Sequence, residues 1–317
     1  MKIGELENCC NFAVMNFAKM RQRLKPWMLP ISMAGGVVFH DAIDRIAWVA
    51  PWLIFVMLLI TFCRVNMKDF KVGRFHWLLL AVQVVGGIVV YFSLRGWSED
   101  VAQGAFICVF CPTATAAPVI TGMLGGSVAL LVTYSLMSNV AVALLAPALF
   151  SMMGPTGDMT FWSSVGLICQ KVAPLIIVPL VAALLLKRVA PRVHSAIGGH
   201  QGLSFYIWAV SLFIVVGRAV SFVMAEPSSE IPEMVVIALA SGAVCCGQFY
   251  IGRRVGRRYG DKISGAQGLG QKNTVLAIWM ALTYLNPIAS VGPAAYVAWQ
   301  NTINSLQLYV KARKGEL

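Results

Sequence analysis

Ten apolar runs separated by polar segments organise the chain: Trp27 to Ala42, Trp48 to Cys63, Phe75 to Leu94, Val101 to Thr121, Ser127 to Met152, Phe161 to Leu186, Leu203 to Met224, Ile231 to Tyr250, Ile263 to Tyr284 and Ile288 to Val310. A helix needs roughly 20 residues to cross a bilayer, so each run reads as one span. The first is the weakest, being short and carrying Pro30 and Gly35-Gly36. Two runs are interrupted, the fourth by Cys111-Pro-Thr-Ala-Thr-Ala-Ala-Pro118 and the ninth by Gly268-Leu-Gly-Gln-Lys-Asn-Thr274. Glycine and proline weaken a helix there. Unwound backbone at membrane depth is tolerated only where protein buries it or where it lines a cavity. Two such breaks in corresponding places of two halves point to a transporter's binding site near the midplane. Five spans per half invert the second half against the first. The expected fold is therefore all-α and polytopic, with ten transmembrane helices as two inverted five-helix repeats, about 26–152 and 161–312, and with helices 4 and 9 broken and crossing. Both repeats belong to one transporter domain, 26–317. It follows an N-terminal cytoplasmic or interfacial segment, 1–25, in which Met1 to Met20 reads as a short interfacial helix and not a signal peptide.

Composition agrees with this pattern. Hydrophobic residues make up 58% and charged residues 12%, against roughly 45–50% and about 25% in soluble domains, and the mean hydropathy is +0.75. A net charge of +12 suggests nucleic acid only until the charges are placed. Of 25 basic residues, 20 fall at 2–25, 64–74, 187–192, 253–262 and 311–314, while eight of 13 acids fall in the alternate loops. The positive-inside bias explains this sorting without a nucleic-acid partner, and it predicts a cell (inner) membrane protein with both termini cytoplasmic. Trp27, Trp48, Trp52, Trp77 and Trp97 read as interfacial belts.

Few charges remain inside the spans. Lys171 and Arg218 stand near an outer end, within snorkelling reach, whereas Lys272 lies deep beside a polar break, where a charge is costly and usually functional. No Asp or Glu falls in a span core, and His40, His76, His194 and His200 lie at span ends or in loops. This argues against a carboxylate or imidazole relay and against an intramembrane hydrolase, so no enzyme is expected. It also removes the acidic ligand that suits a hard cation. The eight cysteines show no metal pattern, and Cys108-Val-Phe-Cys111 reads as small buried residues before a redox pair. No cofactor or nucleotide motif is present. Thr113 and Thr115 can bond to their own helix carbonyls. Asn139, Asn301 and Asn304 can serve as glue between helices, and Gly125-Gly126 reads as a tight turn.

Cys111-Pro-Thr-Ala-Thr-Ala with Gly125-Gly-Ser-Val-Ala-Leu130, and Gly270-Gln-Lys-Asn-Thr-Val-Leu-Ala277, resemble the signature stretches of the bile acid:sodium symporter family, and the Pro51 to Cys63 run resembles its second span. The likeness covers about Pro51 to Val310. It implies a panel group of spans one, two, six and seven, a core of the remainder with unwound, crossing fourth and ninth helices, and import of organic anions with sodium. The chain departs from that pattern at the sodium ligands. Ala117 and Pro118 stand at the fourth-span Ser and Asn places, Leu131 and Ser135 at the fifth-span Ser and Thr places, and Gly268 and Lys272 at the ninth-span Glu and Gln places. Gln300-Asn301 stands at the tenth-span His-Asn.

These readings converge on a secondary transporter of an organic anion, bile-acid-like or a small carboxylate, working by alternating access. The expected substrate site is Thr113, Thr115, Ser135, Gln271, Lys272, Asn273, Thr274, Gln300 and Asn301, with no metal and no cofactor. Sodium independence is expected because Lys272 supplies a tethered charge. Desolvation disfavours a charged lysine and a bound anion favours it: a Lys272 that titrates gives proton coupling, with Lys272 as the coupling residue, and one that stays charged gives uniport or exchange. The alternatives are sodium coupling through backbone ligands and a non-transporting membrane sensor or scaffold on the same fold.

Overall fold

A computed structural model of the protein describes residues 27–43, 45–63, 71–114, 116–153, 161–225 and 228–314. The N-terminal segment with its expected interfacial helix, and Thr115, lie outside the described residues. The main helices are α1 (Trp27–Val38), α2 (Ala50–Phe62), α3 (Arg74–Leu94), α4 (Glu99–Phe110), α5 (Ala117–Leu124), α6 (Val128–Ser151), α7 (Phe161–Val189), α8 (Pro191–Gly199), α9 (Gln201–Met224), α10 (Ile231–Arg258), α11 (Lys262–Gly270), α12 (Thr274–Tyr284) and α13 (Val291–Arg313). Among the described residues no strand forms; the one β feature is an isolated bridge.

Helices α3, α6 and α10 are each long and apolar enough to cross a membrane. The fourth and ninth apolar runs are each split in two, as α4–α5 and α11–α12. The largest differences from the sequence reading lie at two places. Helix α10 continues past Tyr250 to Arg258. Arginines are good helix formers and are favoured at a helix C-terminus, so charge does not stop the helix there. The stretch before α9 holds α8, which starts on Pro191, an N1 residue preset for the helix.

Glycines set how closely the helices approach. A Cβ on Gly252 would lie 2.2 Å from the Gly265 carbonyl oxygen, so α10 and α11 touch backbone to backbone. Gly268 and Gly270, expected to unwind the ninth helix, lie within α11. Their role is space: a Cβ at 268 would meet the Tyr134 ring at 3.0 Å, and one at 270 the Phe249 ring at 2.5 Å. Gly125 (φ 86°) ends α5 in a left-handed turn, as read from the sequence.

Two sets of contacts stand out, linked by α6 with α7 and by α9 with α13. Helix α2 packs on α7 and α9, and α1 meets α9 through Gly35 and Gly36 against Phe213 and Gly217. The others pack together, most intimately α10 with α11 and α3 with α4. The seam between α4 and α6 is filled by Phe106, Phe110 and Phe150, with Phe106 and Phe110 stacked at 5.2 Å between centroids. The five belt tryptophans are all exposed.

Candidate functional site

The site grows from an accounting problem. A helix leaves its last four carbonyls without intrahelical donors, and in α4 the problem is sharpened by Pro112, which has no N–H to give Cys108. Three side chains from elsewhere in the fold supply the donors. Gln248 of α10 donates to the Cys108 carbonyl at 3.1 Å. The Lys272 ammonium donates to the carbonyls of Val109 at 2.7 Å and Cys111 at 3.2 Å. Gln83 of α3 donates to those of Phe110 at 2.7 Å and Cys111 at 3.1 Å. Its own oxygen accepts from Tyr134 and Ser138. A cation at the negative end of a helix dipole is also favourable, and Lys272 is only 1% exposed.

The second break is closed by the first. The stretches 112–114 and 271–273 run antiparallel and pair as a single bridge, Thr113 with Lys272. The Ala114 N–H donates to the Gln271 carbonyl at 3.0 Å and the Asn273 N–H to the Pro112 carbonyl at 2.8 Å. On the other side of Lys272, Gln300 acts as a substitute strand partner. Its oxygen accepts from the Lys272 N–H at 2.8 Å and its amide donates to the Lys272 carbonyl at 3.3 Å. At the end of α11, Thr113 Oγ1 donates to the Gly268 carbonyl and Tyr296 Oη to that of Gly270, each at 2.9 Å. Asn273 caps α12, accepting from Leu276 N–H. The unwound backbone is thus stabilised by protein on both sides.

Beside the paired breaks lies a cavity of about 80 Å³. One wall is Met57 of α2 with Trp208, Ser211, Leu212 and Val215 of α9. The other is Ala114, Ala116, Val297 and the polar set Gln271, Lys272, Asn273, Thr274, Gln300 and Asn301. The N-terminal end of α12 opens onto it, and Gln271 Nε2 is buried without a partner among the described residues. Six of the nine expected site residues therefore meet at one cavity. Thr113 and Ser135 are not among its lining residues: Thr113 is committed to Gly268, and Ser135 accepts from Asn139 within α6. The Lys272 ammonium points to the end of α4, so its charge serves the break.

The positions matching lost sodium ligands are apolar in their surroundings. Ala117 and Leu131 pack with Ala114 in one small buried cluster, Pro118 is buried at the start of α5, and Gly268 has a tyrosine ring where a side chain would begin. Of the three asparagines read as glue, only Asn304 bonds between helices, accepting from Gln267 at 3.2 Å; Asn139 and Asn301 donate within their own helices. Cys108, Cys111 and Cys245 are free and buried. Sequence reasoning missed Gln83, Gln248, Tyr134, Tyr296 and Trp208. Gln83 and Gln248 could have been flagged as lone amides within apolar runs, but nothing in the sequence marks the tyrosines or the tryptophan.

A model of the SBF-like CPA transporter family matches residues 42–296, a range that takes in both breaks and every lining residue up to Val275. No curated protein matches the chain. With well over half its length matched, the chain belongs to the SBF-like CPA transporter family, related to the bile acid:sodium symporters, and is an integral membrane protein of transporter type.

Proposed function

We propose that the protein is a secondary transporter of a small organic anion, held in the cavity beside the paired breaks and moved by rocking of the α1, α2, α7 and α9 group against the rest. The observation that carries this reading is the convergence of the α12 N-terminus with the unpartnered Gln271 amide on one cavity between the two groups. A helix N-terminus favours negative charge, and a cleft between two packed groups suits alternating access. At about 80 Å³ the cavity is far below the roughly 300–1,000 Å³ of pockets that enclose drug-sized ligands. That favours a compact carboxylate over a steroid.

The ten-span inverted repeat is part of this proposal. In its support, Gln83 with Tyr134 and Gln248 with Tyr296 form like pairs, and Ser98 and Asp261 cap the two half-helices that lead into the breaks. These three correspondences stand at an almost constant separation along the chain. Sodium independence is supported by the apolar cluster of Ala114, Ala117 and Leu131, because a hard cation needs oxygen ligands.

The test is uptake into proteoliposomes screened with labelled small carboxylates at fixed membrane potential, in sodium, potassium and choline. Equal saturable flux in all three is expected. A steep sodium dependence would overturn the coupling claim, and binding with no flux would favour a membrane sensor on this fold.

A further inference from the structure

The two halves close their seams in opposite ways. Between α4 and α6 the filling is aromatic and aliphatic, apart from Gln103, which donates to the Met153 carbonyl just past α6 at 2.8 Å. Between α11 and α13 it is amide. Ser264, Gln267 and Gln271 follow one another at steps of three and four along α11, and Gln300 and Asn304 do so along α13, so each set lies on one helix face. All five are buried. At one end of this seam is the cavity lined by Gln271 and Gln300. At the other is an open groove of about 690 Å³ lined by Asp261, Lys262 and Ser127, onto which Ser264 connects by donating to Asp261 and to the Ser127 carbonyl. Seven residues of helix separate Ser264 from Gln271, a path of about 10 Å.

The amides along this path are only half satisfied by protein. Gln267 Nε2 donates to Asn304 Oδ1 at 3.2 Å and to Gln307 Oε1 at 3.1 Å. The other atom of each partner in the first bond, Gln267 Oε1 and Asn304 Nδ2, has no partner among the described residues, and neither has Gln271 Nε2 at the cavity end. An acceptor and a donor on two side chains already in contact form a bridging position for one water molecule, and buried polar groups in native proteins find such partners.

We propose that α11 and α13 enclose a file of bound water joining the central cavity to the groove at Asp261. It makes the second half of the protein the wet half, whether or not an anion is carried. The file gives the cavity contact with one aqueous face through the protein interior, in addition to any opening between the two helix groups.

Thiol accessibility in the full-length protein tests this. Asn304→Cys and, on the dry seam, Ile107→Cys replace side chains that are both 0% exposed. Each variant is treated with a small charged methanethiosulfonate, and modification at the new site is read by peptide mass spectrometry against the unsubstituted protein. Asn304→Cys is expected to react at least about ten times faster. Equal rates would overturn the proposal. Should Asn304→Cys fail to fold, brief X-ray radiolysis of the unsubstituted protein decides: Leu308, one turn from Asn304 and 1% exposed, is oxidised ahead of Ile107 if water is bound beside it, and equally with it if the seam is dry.

Discussion

The two helices that end at the paired breaks, α4 and α11, face the same electrostatic problem and solve it with different chemistry. At α4 the orphan carbonyls meet an ammonium and two amides, Lys272, Gln248 and Gln83. At α11 the side-chain donors are two hydroxyls, Thr113 and Tyr296. Both ends carry the negative pole of a helix dipole, equivalent to roughly half an elementary charge, yet one fixed cation serves only the first. The difference teaches that Lys272, although it lies in the second break, belongs energetically to the first. It ties the two breaks together by charge, just as the Thr113–Lys272 bridge ties them by backbone.

The comparison is broken most severely at Lys272. Lys272→Met keeps the stem and removes the donor, leaving the Val109 carbonyl with no side-chain donor while Cys111 retains Gln83. Hydrogen bonds to charged groups contribute about 1.5–3 kcal/mol, so a loss of about 3 kcal/mol is expected. It would appear as a clear drop in the thermal unfolding midpoint in detergent, with flux abolished. A variant as stable as the parent would show that the α4 end does not depend on the charge.

The paired glutamines sharpen the comparison. Gln83→Leu strands the Phe110 carbonyl and removes the oxygen that accepts from the Tyr134 and Ser138 hydroxyls. Gln248→Leu strands the Cys108 carbonyl, but Tyr296 keeps its own acceptor at Gly270. Leaving a buried polar group unmade costs about 1–3 kcal/mol. The expected losses are therefore about 2–3 kcal/mol for Gln83→Leu and about 1–2 kcal/mol for Gln248→Leu. The order matters more than the size. If Gln248→Leu proves the more damaging under the same melt, the role of Gln83 as hub of the α3, α4 and α6 contact is wrong.

How much of this was legible follows from where each interaction lies along the chain. Pro112 and the Gln271-Lys272-Asn273 run announce themselves because an imino acid and a cluster of polar residues are out of place in apolar runs, and that local signal located both breaks. Cavity residues Gln271 to Thr274 were found for the same reason, whereas Gln300 and Asn301 came from the family resemblance. Gly268 and Gly270 were read as helix breakers, although their effect comes from rings on α6 and α10, Tyr134 and Phe249, and such contacts leave no trace in the local sequence. The direction of the Lys272 side chain is likewise set by carbonyls about 160 residues away. Sequence pattern shows that a charge is buried, whereas the partner that stabilises it belongs to the tertiary fold.

The smallest expected effect isolates what side chains add to the bridge. Thr113→Val is nearly isosteric and removes only the hydroxyl that donates to the Gly268 carbonyl at 2.9 Å. The backbone pairing through Ala114 and Asn273 is untouched. One neutral hydrogen bond has a net worth of about 0.5–1.5 kcal/mol, so the midpoint should fall slightly and transport should survive. The cycle with Lys272→Met carries the information. Thr113 Oγ1 and Lys272 Nζ serve opposite helix ends, but both depend on the same bridge. If the breaks act as one unit, the double variant deviates from the sum of the single variants by at least about 0.5 kcal/mol, the threshold for coupled neighbours. Strict additivity would mean that each break is held independently, and that the ammonium and the hydroxyl stabilise two separate ends.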